Sequence, residues 1–290
     1  MVTWVYIALA AHFLNAIAFV LDKYLLTTSV LRPFAYAFWV AILSSVVVVL
    51  IPAGIFLPDW FFLVNSFISG GTFFFALIFL YRAIQKTDVS IASTKVSSLS
   101  VAFAYLFSIF ILGDSFSVNK LLAFGLVVTG VILLGKVGKR VWREAFLAGM
   151  LFGISLVTLK LSFDLSDFVN GFFWTRIGFV VTALAMLVLP SARKEVAYSF
   201  KASRASSKFI FLFSKGIAGT GFVLLDVAIR LGNVALVNAL LGVQFVLIFA
   251  LSFIFGRKIP ALAEDNSGLI IVRKFLGIGI TILGLIILFK

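Results

Sequence analysis

The chain has 290 residues; 63% are hydrophobic, only 12% are charged, and the formal net charge is +13. A soluble domain usually holds about twice that charged fraction, so the composition excludes an ordinary water-soluble globule, and the lack of cysteine excludes disulfides and thiolate metal sites. The positive balance does not point to nucleic acid, because the basic residues sit in short connections between long apolar runs, the footprint of membrane topology.

Runs of about 20 apolar residues span the hydrocarbon core. The first is placed at 3–22, since MVTWVYIALAAHF lacks the basic n-region of a cleaved signal peptide. Further spans follow at 33–55, 60–81, 90–112, 119–135, 145–163, 170–190, 209–230, 234–256 and 274–289. Helices are the expected form, because backbone groups in lipid must be satisfied within the segment. Pro33, Pro52, Pro58, Pro190 and Pro260 fall at or near span ends, where a missing donor costs little. The longest polar segment, 191–208, is a connection in this reading. Of the 24 lysines and arginines, 17 fall in the odd-numbered connections and 3 on the other side. The positive-inside rule makes the odd connections cytoplasmic and turns both termini to the non-cytoplasmic side. The expected setting is a plasma membrane of prokaryotic type.

The chain repeats itself. Ala8, Ala11 and Lys23 recur at a constant offset as Ala145, Ala148 and Lys160, and at that offset Trp39 falls on Arg176. Ala83-Ile84 with Val89 recurs as Ala228-Ile229 with Val234. Lys120-x4-Gly125-x4-Gly130 recurs as Lys274-x4-Gly279-x4-Gly284. Five helices per half force the two copies into opposite orientations. The expected fold is an all-α membrane protein of ten transmembrane helices in two inverted five-helix repeats, residues 1–139 and 140–290. Carriers commonly use such repeats, with the substrate site near the midplane between them.

Residues 81–135, YRAIQKTDVSIASTKVSSLSVAFAYLFSIFILGDSFSVNKLLAFGLVVTGVILLG, carry the most specific pattern. A helix with a small-residue start is followed by an apolar helix ending in Leu-Gly-acid, then by a short helix with two spaced glycines. This resembles the EamA-type transporters of the drug/metabolite transporter superfamily over nearly the whole chain, with 228–289 as a degraded second copy. Asp114 stands where the family usually has Glu, Arg257 replaces the second acidic residue, and Ser100-Val101 and Gln244-Phe245 occupy regions where the family often has proline. The resemblance implies export of amino acids or other metabolites, or exchange of nucleotide sugars or phosphorylated sugars. It also implies that the fifth helix of each half packs at the periphery.

Polar groups inside spans are expensive and are therefore functional candidates. Lys95, Ser98, Ala102 and Tyr105 share a helical stripe that would line a polar cavity; the alternative for Lys95 is snorkelling to the surface. Arg176 has Trp174 nearby and Trp39 by repeat symmetry, or else it anchors at the interface. Lys215 and Asp226 point the same way but lie too far apart along the helix to pair, and Asp226 has Arg230 four residues on. His12, Asn15, Phe19 and Asp22 share a face of the first span; His12 relays protons or ties helices together, and the same alternatives hold for Asn238 and Gln244 on the ninth span.

Lys95, Ser98, Tyr105, Arg176, Lys215, Trp39, Asn15 and Gln244 are thus candidates for substrate binding, and His12 and Asp226 for proton or ion coupling. With buried cations outnumbering carboxylates, a bound anionic group would supply the missing partner. No catalytic constellation, metal site, Walker loop or dinucleotide fingerprint is present, so no cofactor is expected. The reading is a secondary carrier of a small metabolite, an organic anion or amino acid, by alternating access, with small solute and membrane lipid as partners and no nucleic acid. The alternatives are a channel or lipid scramblase, or an intramembrane enzyme.

Overall fold

A computed structural model describes residues 3–29, 31–113, 118–135, 141–231, 240–265 and 267–288, without the side chains of Lys120, Leu121, Asp226, Ile229, Arg230 and Leu288. Among these residues the secondary structure is helical throughout. The α-helices are α1 (Thr3–Thr28), α2 (Pro33–Leu43), α3 (Trp60–Lys86), α4 (Val89–Ile111), α5 (Val118–Gly135), α6 (Trp142–Leu165), α7 (Phe168–Ala185), α8 (Pro190–Ala202), α9 (Ala205–Leu231), α10 (Leu241–Gly256) and α11 (Gly268–Leu288). Eight helical segments are long and apolar enough to cross a membrane, and α5 and α10 contribute shorter apolar helices.

Local chemistry sets the helix ends. Pro33 opens α2, where its lost donor is harmless. The α2 segment tightens into a 3-10 helix over Ser44–Ala53, and Gly54 ends it at φ 93°, a left-handed conformation that suits glycine. Asp59 and Asp167 cap α3 and α7, their carboxylates accepting from the backbone N–H of Phe62 and Asn170 at 2.9 Å each.

Several boundaries differ from the sequence reading, and α3 runs on to Lys86 past the expected end at 81. α1 runs on to Thr28 and α11 begins at Gly268, so Lys23, Arg273 and Lys274 lie in helices rather than in connections. The polar segment 191–208 folds largely as α8 and the start of α9. α8 is amphipathic: Ala192, Val196 and Ser199 are buried while Arg193, Lys194 and Lys201 are exposed. Helical spacing rather than total polarity decides this segment.

Packing runs mainly between the two parts of the chain. α6 lies against α3 and α4, α1 lies against α9 and α10, and α5 and α11 pack on each other. In lipid there is no hydrophobic drive between helices, so small residues and interhelical hydrogen bonds carry association. A Cβ at Gly70 would strike the backbone of α7 at Thr175–Phe179, and one at Gly178 would strike Ser66 and Phe67 of α3. Ser69 and Ser155 each donate to the other's carbonyl at 2.9 Å, joining α3 to α6, and Asn65 Nδ2 donates to Thr158 O at 2.7 Å. The α4–α6 contact seats Gly149 on Leu99 and Gly153 on Phe103–Ala104.

The repeated glycines of α5 and α11 divide into two kinds. Gly130 faces Gly277 and Thr281, and Gly284 faces Ala123 and Val127, whereas Gly125 and Gly279 face open space. Gly130→Val and Gly284→Val should therefore each cost about 1–3 kcal/mol through overpacking. Gly125→Ala and Gly279→Ala should be neutral or stabilising by up to about 1 kcal/mol. Melting temperatures of the purified variants, followed by loss of the monodisperse chromatographic peak, check the contrast.

Candidate functional site

At the end where the basic connections gather, polar contacts tie the helices together. Lys23 Nζ donates to Ile84 O and Thr87 O at 2.8 Å each, satisfying carbonyls at the end of α3. Lys86 pairs with Glu144 at 2.5 Å. Lys274, fully buried, reaches Asp88 at 2.6 Å, Glu264 at 3.2 Å and Asp265 O at 2.7 Å. Glu264 also accepts from Ser90 N at 3.1 Å and Ser90 Oγ at 2.6 Å. Burial raises the Glu264 pKa above its ordinary 4.5, against the opposing pull of Lys274. This network fastens the α3–α4 corner to the connection between α10 and α11.

Above that closed end, α1, α2, α3, α7 and α9 surround a cavity of about 550 Å³. Its floor is built on Asp22. Lys215 Nζ donates to both carboxylate oxygens at 2.8 and 2.7 Å, Tyr36 Oη donates at 2.6 Å and Ser214 Oγ at 3.0 Å. Four donor contacts on one carboxylate compensate for much of its lost hydration. The Lys215 ammonium also lies 4.9 Å from the Tyr36 ring centroid and 5.4 Å from that of Tyr81. Leu25, Leu26, Tyr36 and Ile84 are buried on the side toward the basic end. From this floor the lining climbs along Ser44–Leu50 and α9 toward the other end, where Val46, Val49 and Val223 are exposed.

Arg176 stands on the cavity wall among three aromatic rings, with Cζ 5.3 Å from the centroid of Phe73, 5.0 Å from Phe172 and 5.1 Å from Phe222. These rings come from α3, α7 and α9. They offer the guanidinium favourable π faces.

Asn15, Arg176 and Lys215 line the cavity together. Lys95 and Ser98 are fully buried on α4, Tyr105 is partly buried on the same helix, and all three lie off the cavity. Trp39 does not flank Arg176; it packs against Phe38 and Phe200, at 5.4 and 5.0 Å between ring centroids, and lines a separate groove. Trp174 is also drawn away, donating from its indole N–H to Phe56 O at 3.1 Å near the other end. His12 and Gln244, read separately from the sequence, meet with Nδ1 and Oε1 3.1 Å apart and join α1 to α10. The Asp226 side chain, Asp114 and Asn238 lie outside the described residues.

The residue that sequence reasoning left out of the site is Asp22. The expectation that cations in the spans lack carboxylate partners fails for Lys215, because α1 and α9 pack closely and bring Asp22 to it. A signal was present: Asp22 lies seven residues from Asn15, on the same helical face.

Residues 2–136 match the EamA-like transporter family. The chain carries an EamA-like transporter domain, part of the drug/metabolite transporter superfamily. Residues 2–136 are thus similar to EamA-like membrane transporters. No curated protein matches it. Among the described residues of the transporter, no group of three or more His, Asp or Glu side chains is placed to hold a metal ion.

The pair at the cavity floor yields a direct test. Asp22→Asn leaves the Lys215 ammonium among aromatic rings without its counter-charge, and breaking a buried pair from one side costs about 3–5 kcal/mol. Asp22→Asn and Lys215→Met should each lower the melting temperature markedly. The double variant Asp22→Asn/Lys215→Met should recover most of the loss, and equal or additive losses in the double variant would show that the charges do not act as a pair.

Proposed function

We propose that the transporter is a secondary carrier that moves a small metabolite bearing an anionic group, an organic anion or an amino acid, through this cavity by alternating access. The observation that carries the reading is the cavity itself: about 550 Å³, walled mainly by apolar side chains, with Arg176 on its wall and the Asp22–Lys215 pair at its floor. Its size falls in the range of small-molecule sites, and a few polar groups among apolar walls fix orientation. Arg176 is the anchor for the anionic group, since a guanidinium offers paired donors to a carboxylate or phosphate. Asn15 supplies a neutral donor and acceptor, and Lys215 is available to an entering carboxylate that competes with Asp22. Lys95, Ser98, Tyr105, Trp39 and Gln244 are not assigned to the substrate. His12 is read as a structural tie, and no coupling role is assigned to Asp226.

The ten spans form two inverted five-helix units in this reading, residues 1–139 and 140–290, with α8 outside the count. Three observations support it: the ordered sequence repeat, a family match that ends at 136, and reciprocal packing. The first helix of each unit, α1 or α6, rests on the third and fourth helices of the other. The basic end faces the cytoplasm and both termini face outward, supported by the charge distribution. The cavity then opens outward, and transport requires the closed basic end to open while the other end closes.

Reconstituted protein should give saturable uptake of one class among labelled amino acids, carboxylates and sugar phosphates. Arg176→Gln, at equal inserted abundance, should lower that uptake by about 10-fold or more, as expected for loss of a charged hydrogen bond to the ligand. Linear, non-saturating flux would instead make the protein a channel, and unchanged uptake of every solute by Arg176→Gln would remove the anion site. For orientation, a single cysteine at Leu57 should react with an impermeant thiol reagent in intact cells, and one at Lys194 should react only after permeabilisation. The reverse pattern would invert the topology.

A further inference from the structure

A second concave site lies at the basic end, lined by residues other than those of the transport cavity. It is a groove of about 410 Å³ between α8, α2 and the turn that follows α7. Phe38, Trp39, Leu187, Val196 and Phe200 make its walls apolar. Two cations, Arg193 and Lys201, stand on α8 at positions i and i+8, so they project from the same side of the helix. Both are exposed. Arg193 spends one guanidinium contact on Val188 O at 3.4 Å, and neither residue has an ion pair among the described residues.

One of the lining residues, Trp39, carries an unmet polar group. The Trp39 indole N–H is buried and has no acceptor among the described residues. A buried donor left unmade carries a penalty that a ligand oxygen can remove. The surroundings are positively charged as well. Lys194 stands on α8 and Arg204 follows it, Lys208 lies 3.9 Å from the Phe200 ring centroid, and Arg32 lies 5.9 Å from that of Tyr198. The only acidic residue of α8 is Glu195.

We infer that this groove is a binding site for an anionic phospholipid of the cytoplasmic leaflet. Its acyl portion lies along the aromatic and aliphatic walls, its phosphate sits between Arg193 and Lys201, and an oxygen of the glycerol-ester region accepts from Trp39. Charge complementarity selects the occupant. An amphipathic helix with a basic polar face rests at the headgroup boundary, and basic pockets at the cytoplasmic ends of spanning helices suit anionic headgroups. A zwitterionic lipid offers the same chains but no net charge to balance the cluster. The bound lipid links α8 to α2, a wall helix of the transport cavity, so the site lies where membrane composition can act on the carrier. Binding itself is independent of whether the transport reading holds.

The test uses the intact purified protein and native mass spectrometry at graded lipid concentration, comparing phosphatidylglycerol with phosphatidylcholine of identical chains. Phosphatidylglycerol should bind more tightly. Arg193→Gln/Lys201→Gln should weaken it by roughly 30-fold, as expected for removing two basic residues at a headgroup, while leaving phosphatidylcholine unchanged. The charge-preserving pair Arg193→Lys/Lys201→Arg should retain the preference. Arg257→Gln/Lys258→Gln, exposed at the same end but outside the groove, should also retain it. Equal binding of the two lipids, a preference that survives Arg193→Gln/Lys201→Gln, or an equal loss in Arg257→Gln/Lys258→Gln would overturn the inference. All substituted residues are exposed, and an unchanged chromatographic profile confirms that each variant is folded.

Discussion

Helices surrounded by hydrocarbon gain little by hiding apolar surface from one another, so close backbone approach and a few polar contacts must hold them together. Most of this architecture answers that constraint. Gly70 and Gly178 let α3 and α7 touch backbone to backbone, Gly149 and Gly153 do the same for α6 on α4, and Gly130 and Gly284 do it for α5 and α11. The reciprocal Ser69–Ser155 pair adds directed bonds at the α3–α6 seam. The large aromatics fill the spaces that such close crossings leave elsewhere, as where Tyr36 meets Tyr81 and Phe211 edge-on.

The cavity exists because this rule is applied unevenly. α3 crosses α7 closely, but α2 and α9 make no comparable contact. Gly216 and Gly219 of α9 accordingly face open space. The unfilled contact leaves room for the cavity.

Charge is handled by two distinct arrangements. Lys274, Asp88 and Glu264 form a buried network in which each charge has several partners, suited to keeping one end shut. Asp22 and Lys215 form a pair that is nearly enclosed by protein yet borders the cavity. The first mainly resists separation of the elements it joins. The second leaves its charges beside open space. Farther up the wall, Arg176 is cradled by the rings of Phe73, Phe172 and Phe222.

Hydropathy in the sequence determined that the chain crosses a membrane as a bundle of helices, because run length and the need to satisfy every backbone group in lipid leave one regular form open to it. It also placed Arg176, Lys215 and Asn15 among the candidates, since polar groups inside apolar runs stand out one residue at a time. The partner of each group was not written there. Asp22 meets Lys215 across 193 positions and His12 meets Gln244 across 232, pairings that depend on which helices pack and at what rotation. The same holds for Lys95 and Trp39, whose polarity marked them but whose helix faces turn away from the cavity. Helix α8 shows the remaining limit: its low hydropathy read as a connection, and only docking against α2 gave its apolar stripe a surface to cover. Tertiary structure decided these points because they depend on relative helix rotation and axial shift, quantities that one helix's own periodicity leaves free.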